Sequence, residues 1–306
     1  MPQDGQAGQV KSSLLDIQKN LCDQIFQIDP SVHTEIDEWE RTEGGGGKTI
    51  AFCKGKIIEK GGVNFSDVLG SKLPKTATQN RPDLEGASFR AMGVSVVFHP
   101  DNPHIPTTHA NVRYFEAKKD NQPLVWWFGG GFDLTPYYPV LDDVIDWHQQ
   151  AKNACKTLGD EHYDKFKKWC DDYFFLPHRN ETRGVGGIFY DDQNEGGFSK
   201  NLNFMKTVAE TFKNAYFLIL EKRKNTLFNS WQKDFQKYRR GRYAEFNLVY
   251  DRGTHFGLQS RGRTESILMS MPPEVSWKYD WKPEKNSPEE DLYKNYLCPR
   301  NWLEIK

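Results

Sequence analysis

The sequence predicts an α+β fold, an antiparallel or mixed β-sheet covered by α-helices, in a single domain. Three observations predict it. Between Lys48 and about Glu116, short runs of Val, Ile and Phe are broken by Gly61-Gly62, Pro74, Pro82 and Pro100, the pattern of strands joined by turns. From Leu141 onward, apolar residues recur at helical spacing. The two kinds of segment do not alternate in the βαβ rhythm that marks a parallel sheet. No internal repeat is present, and no Pro/Ser/Gly-rich linker divides the 306 residues after position 80. One domain over residues 1–306 is therefore expected, with residues 1–12 as a flexible tail.

Taken in order, Leu14, Ile17, Leu21, Ile25 and Ile28 form a helical stripe behind a Ser12-Ser13 cap and end before Pro30. Gly44 to Gly47 read as a turn between strands and lack the Lys-Ser/Thr spacing of a phosphate-binding loop. Strands follow at Ala91–Pro100 and Pro106–Glu116. The triple Gly129–Gly131 after Trp126-Trp127-Phe128 requires either a bulge or space for a flat ligand. Three helices carry Leu141, Val144, His148, Ala151, Cys155 and Leu158; then Phe166, Trp169, Cys170, Tyr173 and Phe174; then Met205, Val208, Phe212, Tyr216 and Ile219. A short helix around Trp231, Phe235 and Tyr238 leads to a basic turn at Arg239, Arg240 and Arg242. Alternation predicts two strands next, Tyr243–Tyr250 and Glu265–Met271, joined through Asp251-Arg252-Gly253. Ser287-Pro288-Glu289-Glu290 combines a capping Ser, a Pro at the first helical position and a Glu at the third, which starts a last helix.

Composition narrows the function. Lys plus Arg number 41 against 42 Asp plus Glu, so no global field exists to hold a nucleic acid, and an anionic ligand must be met by a local basic cluster. No apolar run approaches the ~18 residues of a membrane span. The five cysteines are scattered without a CxxC, which fits reduced thiols, and the first residues lack the Arg-rich, acid-poor character of a transit peptide; a cytoplasmic address is expected. Aromatic residues reach 14%, enough to line a ligand site as well as a core.

Period-two geometry groups the chemistry. Ser95, Val97 and His99 share one face of their strand, and His109, Asn111 and Arg113 share a face of the next, in a row ~13 Å long. An Arg that can grip a carboxylate, beside a His that exchanges protons near neutral pH, suits a carboxylate-bearing substrate; a solvated strand face is the plainer alternative. The dispersed histidines His99, His109, His148 and His178 have no metal-ligand spacing, and a His on an apolar helix stripe is more often a core residue. Arginines beside glycines, at Arg183, Arg252, Arg261 and Arg263, offer cations at turns where backbone can approach a ligand. Neither GxSxG nor GxGxxG is present, which disfavours a serine hydrolase and a nicotinamide or flavin enzyme.

Several long segments together resemble the oxygen-dependent coproporphyrinogen III oxidase family. They are KKWCDDYFFLPHRNETRGVGGIFYDD (Lys167–Asp192, with Tyr190 where a second Phe is usual), WWFGGGFDLTP (Trp126–Pro136), RRGRYAEFNLVYDRGTHFGL (Arg239–Leu258) and GRTESILMSMPP (Gly262–Pro273). The resemblance covers about Leu14 to Trp302. It implies a homodimer whose protomer has a large antiparallel sheet flanked on both faces by helices, with a cleft over the sheet. It implies oxidative decarboxylation of two propionates of coproporphyrinogen III to vinyl groups, giving protoporphyrinogen IX, with oxygen as acceptor and no organic cofactor.

By motif position, the resemblance assigns substrate contacts to Ser95, Asn111, Val112, Arg113, Arg261, Gly262 and Arg263, the proton donor to His109, and a carboxylate facing the pyrrole N–H groups to Asp251. Arg252 is expected to orient a propionate with Arg113 and Arg263. Arg261 departs from the small residue usual there. His99, His109, His148 and His178 match positions described as metal ligands in some members; a metal-free site with His109 as donor is the favoured reading, because a ligating nitrogen cannot also carry the donated proton. The segment from Tyr243 to about Trp277 resembles the dimerisation region, with an exposed strand edge expected to pair across the two-fold axis. The alternatives are a non-catalytic tetrapyrrole-binding protein and a metal-dependent hydrolase built on the four histidines.

Overall fold

A computed structural model describes residues 5–73, 82–259 and 262–305. Its first element, α1 (Gly5–Ile28), begins two turns before the expected cap. Ala7 and Val10 are buried and extend the stripe of Leu14, Leu21 and Ile25 backward, so residues 5–12 are helix rather than tail.

Seven strands follow the order β1 (His33–Glu40), β2 (Gly45–Cys53), β3 (Ile58–Gly70), β4 (Ser88–Pro100), β5 (Thr107–Lys118), β6 (Val125–Thr135) and, after a short β7/β8 pair (Phe175–Leu176 with Glu181–Thr182), β9 (Gly186–Gln193). Every pairing is antiparallel. The glycine triple neither breaks nor bulges β6, whose register with β5 is continuous; opposite Phe128–Gly130 the extra residue lies on β9, where Asp192 has φ +53°, so the partner strand bulges instead.

One face of the sheet carries the main core. Val94, Val96, Ala110, Val112, Tyr114 and Phe132 pack there against α1, α2 (Leu141–Cys155) and α4 (Phe198–Arg223), whose Val208, Phe212, Tyr216 and Ile219 point inward as their spacing predicts. The other face is covered by the end of α3 (His162–Tyr173), by α5 (Ser230–Val249), and by two short helices, α6 (Arg252–Gln259) and α7 (Thr264–Leu268). Thr49 Oγ1 meets Ser266 Oγ at 2.6 Å and His99 Nε2 meets the Ser270 carbonyl at 2.9 Å, which fastens this cover to the sheet.

The predicted strands Tyr243–Tyr250 and Glu265–Met271 are helices instead. A capping box of Asn229 and Gln232 starts α5, and the chain runs through the arginine cluster without turning. It does so because the arginines are buried and partnered: Arg239 with Glu181 at 2.9 Å, Arg240 with Glu59 and the Pro100 carbonyl at 2.8 Å each, and Arg242 with the Tyr238 hydroxyl at 2.8 Å. Segment 243–277 therefore offers no strand edge among the described residues. α8 (Pro288–Asp291) starts as predicted, with the Ser287 hydroxyl accepting from the Glu290 amide.

Candidate active site

The strand register lays polar and small residues in parallel rows across the sheet face beneath α6 and α7. One row runs Ser66, Gly93, Arg113, Gly129; the next runs Asp37, Thr49, Asn64, Ser95, Asn111, Gly131, Phe189; a third runs Gly62, Val97, His109, Asp133, Gly187. Because side chains alternate across a strand, these residues share one face and form the floor of a cleft. Aromatic groups wall it at both ends. At one, Phe115 stacks on Trp127 (4.9 Å) and Phe89 (5.6 Å) and meets Phe256 of α6. At the other, Tyr173 stacks on Phe189 at 4.5 Å and Phe174 packs on Phe246 and edge-on to His109.

His109 Nδ1 lies 3.0 Å from Asp133 Oδ1. Asp133 is buried and also accepts from Arg183 Nη2, at 2.8 Å on each oxygen. Burial pushes the Asp133 carboxyl up, but the Arg183 guanidinium and His109 outweigh it and hold it below the usual carboxylate range. Arg183 is in turn packed among Phe174, Tyr243 and Phe246, 4.1–5.0 Å from their ring centres, and donates to Asn247. Arg183, Asp133 and His109 are thus one buried chain that ends at the cleft, with the His109 ring partly open to it.

Asp251 caps α6. Its Oδ2 accepts from the Thr254 amide (2.7 Å) and hydroxyl (2.8 Å), and its Oδ1 from the Tyr173 hydroxyl (2.7 Å). Burial raises this carboxyl, yet these bonds and the positive potential of His109 leave it below the ordinary range, an anion near neutral pH. Arg252 beside it spreads over Tyr173 and Phe189, 4.9 and 5.7 Å from the ring centres.

Not every expected residue joins this cluster. Ser95, Asn111 and Arg113 do, but the Val112 side chain points through the sheet into the main core, so only its backbone can serve the cleft. Arg263 is pinned to Asp37 (2.9 Å) on edge strand β1, four strand spacings or about 19 Å from β5. The Gly262 amide closes the α6–α7 turn on the Gly257 carbonyl at 2.8 Å. Arg261 lies outside the described residues.

The four histidines do not converge. His99 is buried with both nitrogens engaged, by Thr107 and the Ser270 carbonyl. His148 sits on the opposite side of the sheet between the Tyr163 hydroxyl and the Val185 carbonyl, and burial drives its pKa down to about 3. His178 is bound by Glu245 and Tyr250. Among the described residues no group of three or more His, Cys, Asp or Glu is placed to hold a metal ion, so the proposed ligand set does not fit the fold of one chain.

Asp133, Arg183, Tyr173 and Phe189 were not singled out as site residues from the sequence. The signal was present for Asp133: a lone carboxylate inside the apolar run Trp126–Leu134 must find a buried cation. A cavity of about 420 Å³ lies elsewhere, between α1 and α4 with Glu210 and Lys213 on its rim, and contains none of these groups. A family model for coproporphyrinogen III oxidase matches residues 9–302. The chain belongs to the coproporphyrinogen III oxidase family, oxidoreductases that carry out oxidative decarboxylation in haem biosynthesis.

Proposed function

We propose that the cleft over the sheet converts two propionates of coproporphyrinogen III to vinyl groups, giving protoporphyrinogen IX, with oxygen as electron acceptor and no organic cofactor. The observation that carries this reading is the meeting of His109, oriented by Asp133, with the anchored carboxylate of Asp251, beside Arg113 and Arg252. A tetrapyrrole with four propionates needs cations at its rim, a group to accept from its pyrrole N–H bonds, and flat apolar walls.

Asp251 accepts from the pyrrole N–H groups and favours loss of one such proton, which raises the electron density of the macrocycle. The electron-rich ring then gives two electrons to oxygen. Each propionate, R–CH2–CH2–COO⁻, leaves as R–CH=CH2, carbon dioxide, one proton and two electrons. Oxygen takes those two electrons and two protons to become hydrogen peroxide, so each vinyl group consumes one further proton. His109, whose Nδ1 faces Asp133, supplies it from Nε2. Arg113 and Arg252 hold propionates, and no step passes through a metal ion.

The protein acts as a cytoplasmic homodimer in this reading. Leu248, Val249, Leu258, Trp277 and Tyr279 are exposed apolar or aromatic residues concentrated in one segment, which supports burial of this surface against a second copy by helix packing rather than strand pairing. Light scattering should give twice the chain mass, and a monomer would remove this part.

The test of the chemistry is turnover of coproporphyrinogen III by chelator-treated protein with and without oxygen, the tri- and dicarboxylic products being separated. Oxygen-dependent vinyl product is expected. Binding without product under oxygen would assign a tetrapyrrole carrier, and product formed equally without oxygen would assign another acceptor.

A further inference from the structure

Arg113 on β5 and Asp191 on β9 reach toward each other across β6 and meet over Gly129. Arg113 Nη2 is 2.9 Å from Asp191 Oδ2, and Nη1 donates to Asn111 at 3.0 Å. A side chain at 129 would put its first carbon 2.5 Å from Asp191 Oδ1 and 2.7 Å from Arg113 Nε, so the glycine is what lets the pair lie flat on the floor. Both side chains keep about a quarter of their surface exposed, 28% and 26%, so the pair is open to a competitor. Arg113 also shares the Phe189 ring with Arg252, at 5.5 and 5.7 Å from its centre. Arg252, by contrast, has no carboxylate partner among the described residues. Of two cations on one ring, one already carries its counter-ion.

The geometry points to Asp191 as a resident counter-ion that a propionate of the substrate has to displace from Arg113, and that reclaims Arg113 when the macrocycle moves on. This rests on the reading of Arg113 as a propionate anchor. A carboxylate arriving at Arg113 offers the same charge-assisted bond as Asp191, so the two compete for one set of donors. Asp191 Oδ1 accepts from the Asp192 amide at 3.1 Å and so keeps an anchor when Oδ2 is displaced. Two propionates react in turn on one ring, and Arg113 must release whichever propionate it holds before another can be presented. Asp191 weakens the grip on substrate and speeds that release.

A merely structural Asp191, which only holds Arg113 in place, makes the opposite prediction. The test is Asp191→Asn, with Asp191→Ser as the second variant, titrated with coproporphyrin III by fluorescence at low salt and then assayed for turnover. The counter-ion role requires coproporphyrin III to bind about tenfold more tightly than to the unaltered protein. It also requires kcat to fall and the tricarboxylic monovinyl intermediate to build up relative to the dicarboxylic product. Equal or weaker binding in a variant with unchanged melting temperature overturns the proposal. Arg113→Gln separates the two levels: if that variant binds coproporphyrin III as tightly as the unaltered protein, the anchor reading itself is wrong.

Discussion

Arg183 Nη2 stands 2.8 Å from both carboxylate oxygens of Asp133, and each side chain is 2% exposed. A fully buried ion pair of this kind adds little over an apolar packing of the same volume, but removing one partner strands the other. Its value to the protein is therefore at its open end, where Asp133 fixes the His109 ring and its tautomer.

Asp133→Asn should lower kcat about 100-fold, part of the usual contribution of a general acid, with a smaller change in KM. Folding stability should fall by about 3–5 kcal/mol, because the Arg183 charge loses its partner. Steady-state kinetics and urea unfolding on the same preparation check both, and unchanged kcat in the variant would remove His109 orientation from the mechanism.

Tyr173→Phe deletes the hydroxyl that donates to Asp251. That bond is one of those holding the Asp251 carboxyl below its ordinary value, so its folded pKa should rise in the variant. If ionised Asp251 is required, activity is lost on acidification at a higher pH than in the unaltered enzyme. The acid limb of the kcat profile reads this shift, and superimposable limbs would argue that Asp251 ionisation does not limit turnover.

Glu245 gives a pH signature of stability. Burial raises its carboxyl, but Arg179, His178 and Arg242 outweigh this and bring it from 4.5 down to about 2. A carboxyl depressed in the folded state contributes stability that is complete above its unfolded value and lost as pH falls through the folded one. Unfolding measured from pH 5 down to pH 2 should show an acid-dependent loss that Glu245→Gln lacks, and parallel curves would refute it.

Gly131 and Gly129 should separate folding from binding. Gly131 has φ +147°, and a Cβ there would fall 2.1 Å from the Ile188 carbonyl oxygen, in the backbone of β9. Gly131→Ala is expected to destabilise by about 2–4 kcal/mol. In Gly129→Ala the nearest atoms belong to the Asp191 and Arg113 side chains rather than to backbone, so its thermal melting should change less while its affinity for coproporphyrin III is altered.

Chelation should leave turnover intact. The nitrogens of His99, His148 and His178 are all committed to hydroxyl, carbonyl or carboxylate groups. Activity that disappears with chelator and returns with one divalent metal would require a site outside this histidine set.

The floor of the cleft was legible in the sequence because it depends on strand periodicity alone: His109, Asn111 and Arg113 share a face by arithmetic, and the register then adds Ser95. The stripe from Met205 to Ile219 was equally readable. The C-terminal half was not. Tyr243–Tyr250 alternates like a strand, and the helix is held by contacts from Arg239 and Arg240 to Glu181 and Glu59, which lie 58 and 181 residues away. The partners of His109 were hidden for the same reason. Asp133 is one strand over, and Arg183 is separated from it by two helices in the chain. Local pattern shows which face a residue takes, whereas a buried charge reveals its partner only once the fold brings them together.

The order of strands β1 to β6 follows the order of the chain, each pairing with the next. A nascent chain, which emerges N-terminus first, can complete this meander as soon as Thr135 is available, with His109, Asn111, Arg113 and Asp133 already in register. The partners that neutralise and cover them, Arg183, Asp191, Tyr173 and Asp251, have yet to be synthesised. During translation this sheet face is thus an exposed, half-charged surface, and Asp133 in particular waits in water for its cation. The face proposed to receive the substrate is therefore covered only after the sheet that forms it is complete, by segments that lie C-terminal to it.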